Sequence, residues 1–285
     1  MMHTYILKYI FFFVVFTGIY SCVDVIDVNV PTSEPRLVIE ASINWEKGTT
    51  GENQTIKLSM LTPYFDANDQ APVLGGYVQV THTKSGEVFE FIDQNSGDYV
   101  CKTFKPFLEE EYTLEVKVDN KTYVAQEILK SVEKIHKVGQ SVEKGNSKDD
   151  IEVVIYYNDP KDIENYQLIK FLKVGELLPQ FIPIRDEYVD GNELDIYFEP
   201  LDDVDTDAEE QLKVGDMVEY KLLGISKRYY HYIQILQNQL GNEGGIFGST
   251  PVPLKGNCVN SNDSKDLALG YFRLSETHSG TYTVK

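Results

Sequence analysis

From Leu37 onward the chain alternates between apolar and polar positions. Leu37, Ile39, Ala41 and Ile43 interleave with Val38, Glu40, Ser42 and Asn44, and Ile56, Leu58 and Met60 interleave with Lys57 and Ser59. Val78 and Val80 follow the Gly75-Gly76 break, Phe89 and Phe91 follow Ser85-Gly86, and Tyr99 follows Gly97. Tyr112, Leu114, Val116 and Val118 form another alternating run, which Asp119-Asn120 turns back into Thr122 to Gln126. A period of two marks a half-buried strand, because successive side chains point to opposite faces of a sheet. Short strands separated by turn residues predict an immunoglobulin-like β-sandwich over 36–130. The Tyr112-Thr113-Leu114-Glu115-Val116 run offers a tyrosine corner, although no Cys-Trp-Cys core accompanies it.

A second set of strands starts near Val132 and predicts a second antiparallel β domain over 131–285. Ile151 to Tyr157 ends at Asn158-Asp159-Pro160, and Tyr166 to Val174 follows. Phe181 to Val189 runs into Asp190-Gly191, a hairpin signal, and Leu194 to Phe198 is the expected return. Met217 to Leu223 is a further strand. The period then changes. Tyr229, Ile233, Leu236 and Leu240 fall at helical spacing, with Ser226 placed to cap the start and Gly241 to end it. This predicts one α-helix near 226–241, with Tyr229 and Ile233 facing the core and Arg228 and Tyr230 nearer the surface. Leu267 to Leu274 and Thr281 to Val284 complete the strand set. The fold class is therefore all-β.

The first residues follow neither pattern. Ile10 to Cys22 is an apolar run of signal-peptide length, behind His3 and Lys8, and too short for a spanning helix of ~20 residues. It ends in Ser21 directly before Cys22, and so looks like a lipobox, where a bacterial leader is cleaved and the cysteine acylated. On this reading 1–21 is a signal peptide and 22–35 a lipidated tether. Asp24 and Asp27 in the tether resemble the surface-export signal of Bacteroidota lipoproteins. The alternatives are a short core helix and an ordinary cleaved signal.

Cleavage before Cys22 leaves 264 residues, and the formal charge of −19 becomes −20 with the loss of Lys8. A surface this acidic repels phosphate backbones, which argues against nucleic acid as a partner, and against adhesion to anionic lipid through the protein surface. Membrane attachment then falls to the acyl chains on Cys22. Cys101 and Cys258 remain, far apart in sequence, and read as two buried thiols rather than a disulfide framework.

The order of these motifs resembles a family of Bacteroidota outer-membrane lipoproteins, domain-of-unknown-function family four-two-four-nine. The residues that carry the likeness are the Cys22 lipobox, Leu37-Val38-Ile39-Glu40-Ala41, Gly75-Gly76-Tyr77-Val78, Ser96-Gly97-Asp98-Tyr99 and Tyr112-Thr113-Leu114-Glu115-Val116. Ser226-Lys227-Arg228-Tyr229-Tyr230 and Leu269-Gly270-Tyr271-Phe272 complete it. The resemblance implies a gene neighbourhood shared with TonB-dependent receptors, and hence an accessory to an outer-membrane transporter. It supplies no catalytic residues.

Candidate chemistry is sparse. Asp203, Asp205 and Asp207 mimic the opening of an EF-hand calcium loop, but Ala208 and Val214 stand where Gly and the bidentate Glu belong, so a solvated acidic connection is the competing reading. The Gly-rich stretch Gly241 to Gly248 follows a helix, lacks the Lys-Ser/Thr of a P-loop, and reads as a mobile surface loop or plain connector. His82, His136, His231 and His278 have no partners at metal-site spacing. Trp45 is either an exposed platform for a sugar or an edge residue covering the sandwich. Trp45, Arg228 and Tyr230 are the expected ligand or partner contacts. The resulting expectation is a surface-exposed, non-enzymatic, lipid-anchored protein without a cofactor, which captures ligand for a TonB-dependent (SusC-like) β-barrel. It would act as a lid moving about a junction near Ser131. A structural or adhesive surface protein is the alternative, and a polymer-degrading enzyme is a third reading.

Overall fold

The computed structural model describes residues 35–61, 71–145, 150–187, 190–200, 211–241 and 254–285. Cys22, the tether before Pro35, the acidic run Asp202–Glu210 with Asp203, Asp205 and Asp207, and most of the Gly-rich loop lie outside them. Residues Pro35–Lys285 form one compact unit. Its elements in chain order are β1 (Arg36–Glu46), β2 (Gln54–Leu61), β3 (Ala71–Pro72), β4 (Tyr77–His82), β5 (Val88–Asp93), β6 (Asp98–Cys101), β7 (Glu111–Val118) and β8 (Lys121–Ile128). There follow β9 (Lys137–Ser141), β10 (Glu152–Asn158), β11 (Tyr166–Lys173), β12 (Gln180–Arg185), β13 (Glu193–Phe198), β14 (Met217–Ile225), α1 (Lys227–Gly241), β15 (Val259–Asn260) and β16 (Leu269–Thr283). The described residues are thus all-β with one helix, which is not long and apolar enough to cross a membrane.

The first strands close an immunoglobulin-like sandwich. β5 carries the chain round the corner: Val88 to Phe91 pair with β4, whereas Ile92 and Asp93 pair with β6. The alternation read from the sequence is the burial pattern observed, with Ile39, Ala41, Ile43, Ile56, Leu58, Val78, Val80, Leu114 and Val116 facing inward. The tyrosine corner is present. Tyr112 is fully buried, its Oη donates to Lys105 O at 2.8 Å, and it accepts the Phe107 N–H at 2.8 Å. Cys101 and Cys258 are both buried and free. Burial pushes the Cys258 thiol up to about 12, so it stays protonated and unreactive.

A second core gathers residues from β10, β11, β13 and β14 around Val153, Ile155, Ile169, Phe171 and Leu222. β16 connects the two cores. Its first half pairs parallel with β1, from Val38–Leu269 to Glu46–Thr277, and places Phe272 and Leu274 in the first core. Its second half pairs antiparallel with β14, from Leu223–Thr277 to Met217–Thr283, and packs Tyr282 against the second core.

Two strands expected near the C-terminus are therefore one. The polar stretch Ser275 to Gly280 separates the two expected strands in the sequence, but its polar groups find partners in the fold. Buried Glu276 accepts Lys47 Nζ at 2.9 Å and the Val132 N–H at 3.0 Å. Thr277 Oγ1 and Ser279 Oγ donate to Glu46 Oε2 at 2.8 and 2.9 Å. The expected hairpin at Asp190-Gly191 is also corrected. The chain does turn there, with Gly191 at φ +70°, but β12 pairs with β11 while β13 pairs with β10.

The junction near Ser131 is strapped to β16 and β14 rather than free to hinge. Glu276 N–H donates to Lys130 O at 2.8 Å. The Ser131 carbonyl lies so close to β14 that a Cβ on Gly224 would stand 2.0 Å from it. Only a glycine admits that approach.

A cleft at the seam between two cores

The linker between the cores borders a cleft of about 260 Å³. One wall is Lys130 to Glu133 with Glu109; the other is the Pro160–Gln167 segment, closed by Ile225 at the end of β14. Each wall is held by its own polar ties. Glu109 has a positive φ of 58°, and its carboxylate accepts the Ser131 N–H and Oγ–H, each at 2.9 Å, and Lys130 Nζ at 2.5 Å. Partial burial works to raise its pKa, but those bonds hold it below the usual carboxylate range. Across the cleft the Tyr166 hydroxyl donates to Glu164 at 2.7 Å, and Lys227 Nζ stands 3.3 Å from the same carboxylate. The Tyr166 hydrogen bond is the largest single cause lowering the Glu164 pKa, and the hydrogen bond and charge of Lys227 lower it further. Gln167 is 3% exposed. Its Nε2 donates to Asn165 Oδ1 at 3.0 Å, and its Oε1 has no hydrogen-bond partner among the described residues. Val132, Ile163 and Ile225 add apolar surface between these groups, so the cleft combines acceptors with grease and suits a small polar molecule rich in donors.

The start of α1 stands beside this cleft. The Ser226 cap forms as expected: the Tyr229 N–H reaches Ser226 Oγ at 3.2 Å, and Ser226 Oγ–H in turn donates to Glu127 Oε2 at 3.0 Å. Glu127, 3% exposed, also accepts the Tyr271 hydroxyl at 3.3 Å and lies 3.7 Å from the Arg228 guanidinium. The sequence did not single out Glu127; its alternating position in β8 reads as core-facing, which is where a charged residue signals a built-in partner.

The expected contact residues part company. Arg228 is exposed as expected, and its guanidinium also donates to Gln126 O. Tyr230 is corrected: it is 8% exposed, its ring packed at a tilt with its centroid 5.1 Å from that of Tyr166, and its hydroxyl accepts Gln234 Nε2 at 2.8 Å. Helix α1 is rotated so that Tyr229 packs toward Tyr271 and Tyr230 toward β11, leaving neither as a free contact. Trp45 is not a free platform either. It packs partly buried against the first core, Nε1 donates to Thr49 O at 2.8 Å, and its ring lies over Gly51, where a Cβ would stand 2.6 Å from it. The edge-covering alternative describes it.

A carboxylate cluster appears where the sequence had not placed one. Asp159, Asp186 and Asp190 bring oxygens within 4.8 Å of one another. Asn165 Nδ2 and the Gly191 N–H donate to Asp159 at 2.9 and 3.2 Å. Burial, then repulsion from Asp159, raises the Asp186 pKa. These hard oxygens are of the type that holds calcium; a proton shared between Asp159 and Asp186 relieves the same repulsion.

An all-β body with an immunoglobulin-like sandwich and a cleft at its seam is the class that fold and site define. The chain belongs to the family described as domain of unknown function DUF4249, whose model matches residues 23–281. Among solved structures it is similar to a two-domain fibronectin type-III segment of chicken tenascin, at 10% identity over 60% of this chain and 83% of that one, with a TM-score of 0.21. It is also similar to the FN1–FN3 domains of chicken CNTN1, at 11% identity over 66% and 62% with a TM-score of 0.22. A DUF4785 family protein of Legionella pneumophila is similar at 16% identity over 68% and 54%, with a TM-score of 0.26. No curated protein matches.

Proposed function

We propose that this protein is a non-enzymatic lipoprotein anchored in the outer membrane through Cys22, facing outward, which captures ligand for a TonB-dependent (SusC-like) β-barrel. The observation that carries the reading is the apolar run ending at Ser21-Cys22, with the family match opening at residue 23, directly after the Cys22 at which the mature chain would begin. Lipid and tether then hold the seam cleft near the barrel mouth, and the gain is one of effective concentration rather than of new contacts. The strapping of the linker to β16 and β14 refines the mechanism. The body moves on its tether as a unit, and the internal lid motion about Ser131 is set aside.

The experiment is gentle extraction from the native outer membrane by an affinity tag, with mass spectrometry of what accompanies the protein. A TonB-dependent barrel in stoichiometric yield is the expected result. Recovery alone, under conditions where known barrel–lipoprotein pairs survive, would move the reading to a structural or adhesive surface protein. Cys22→Ser is expected to abolish incorporation of labelled palmitate and release the protein from the membrane.

A further inference from the structure

The face of β11 and β14 turned away from the second core carries an unusual pair of charges. Lys170 on β11 and Lys221 on β14 are directly opposite one another, and Lys221 is opposite Ser279 on β16. The next row on that face is Leu172, Glu219 and Thr281. The two rows line a concavity of about 300 Å³. Like charges directly opposite on neighbouring strands destabilise a sheet. Several other lysines of the fold are paired, among them Lys47 with Glu276, Lys121 with Asp266 and Lys130 with Glu109. No described carboxylate forms an ion pair with Lys170 or Lys221, in a chain with 45 acidic and 26 basic residues. Ser279 offers no counter-charge: it is neutral, and its hydroxyl proton is donated to Glu46.

We propose that this concavity is a binding site for one oxyanion group, a phosphate or carboxylate, of a small molecule. Opposed lysines on adjacent strands allow both ammonium groups to reach a single oxyanion, which removes the repulsion between them. The Thr281 hydroxyl is the neutral donor on the third strand, and Leu172 gives the ligand an apolar flank. Glu219 in the neighbouring row limits the site to a single anionic group and repels a polyanion. The site lies further along β11 and β14 than the seam cleft, shares no lining residue with it, and does not depend on the transport reading.

The test is calorimetric titration of the full chain in detergent with inorganic phosphate and, separately, with succinate, each balanced by chloride at constant ionic strength. Saturable binding of at least one anion is expected. Lys170→Met and Lys221→Met should each weaken it by about tenfold or more, and Glu219→Gln should strengthen it. Both lysine variants should melt higher than the parent without anion, because the like-charge pair is gone; this keeps the test independent of damage to the fold. Binding of phosphate alone assigns the ligand group as a phosphate, of succinate alone as a carboxylate, and of both as either. Absence of saturable heat with both anions, or lysine variants that bind as tightly as the parent, would overturn the proposal.

Discussion

The two cores are built by different rules although they share a strand. In the first, the strands other than the shared β16 have one wetter face. β1 reads exposed, buried, intermediate, buried along Arg36 to Ile39, and β7 alternates in the same way. In the second, β10 buries Glu152, Val153, Val154 and Ile155 in succession, and β11 buries Tyr166 to Ile169. Strands covered on both sides lose the alternation that marks a half-buried sheet. The first core can therefore be read from side-chain period, whereas the second depends on what lies against it: α1 on one side of β11, the linker on β14, and β16 beyond.

The largest test of that dependence is Gly224→Ala. The new Cβ would meet the Ser131 carbonyl, backbone against backbone, so the linker has to lift off β14. A loss of about 3 kcal/mol or more is expected from urea unfolding. Gly139→Ala in β9, where an added Cβ meets nothing within 4 Å, is the control and should be close to neutral. Leu274→Ala comes next. It opens a cavity in the first core only, at an expected cost of about 2–5 kcal/mol. Since β16 serves both cores, Trp45 fluorescence, which reports the first core, should still unfold together with far-UV ellipticity. Separated transitions would mean that the cores are independent.

Ser226→Ala is a smaller change. It removes the helix cap and one donor to buried Glu127, at about 1–2 kcal/mol, and the loss should appear as weaker amide protection in the first turn of α1. The mildest test is pH. His278 Nδ1 accepts the Ile135 N–H at 3.3 Å, which requires that nitrogen to be unprotonated. Burial is the main force lowering its pKa from 6.5; Lys134 and Lys47 act with it, and Glu46 and Glu276 against it. A base with a depressed folded pKa stabilises the fold above its unfolded value, and this contribution is lost as pH falls below about 6.5. The melting temperature should decline over that interval in the parent and decline less in His278→Ala.

Period and capping carried most of what was legible in the sequence. The strands of the sandwich, the Tyr112 corner, the Ser226 cap and the helix itself follow from local rules that the fold does not override. Long-range pairing was not legible. Nothing local in Ser275-Glu276-Thr277-His278 announces a strand, because its polarity is satisfied by Glu46, Lys47 and the linker, some of them more than 200 residues away. Tyr230 illustrates a second limit. Adjacent tyrosines on a helix are ranked by periodicity only to within a fraction of a turn, and here neighbours on both sides of α1 buried each of them in part. The Lys170–Lys221 pair was invisible for a third reason, since it exists only once β11 and β14 are in register.

The order in which the chain is made gives β16 one more consequence. β1 is the first strand of the sandwich to be synthesised, yet its parallel partner starts at Leu269, more than 200 residues later. At ~5–20 residues per second, translation takes on the order of 10–45 s to supply that partner. For that interval β1 keeps an open edge, a template for pairing with the wrong chain. Apart from Val38, the outward residues of β1 (Arg36, Glu40, Ser42, Asn44 and Glu46) are polar or charged, and they make the waiting edge a poor template. A chain released before Leu269 would lack the strand common to both cores and leave neither complete, so only the finished polypeptide can pass as folded.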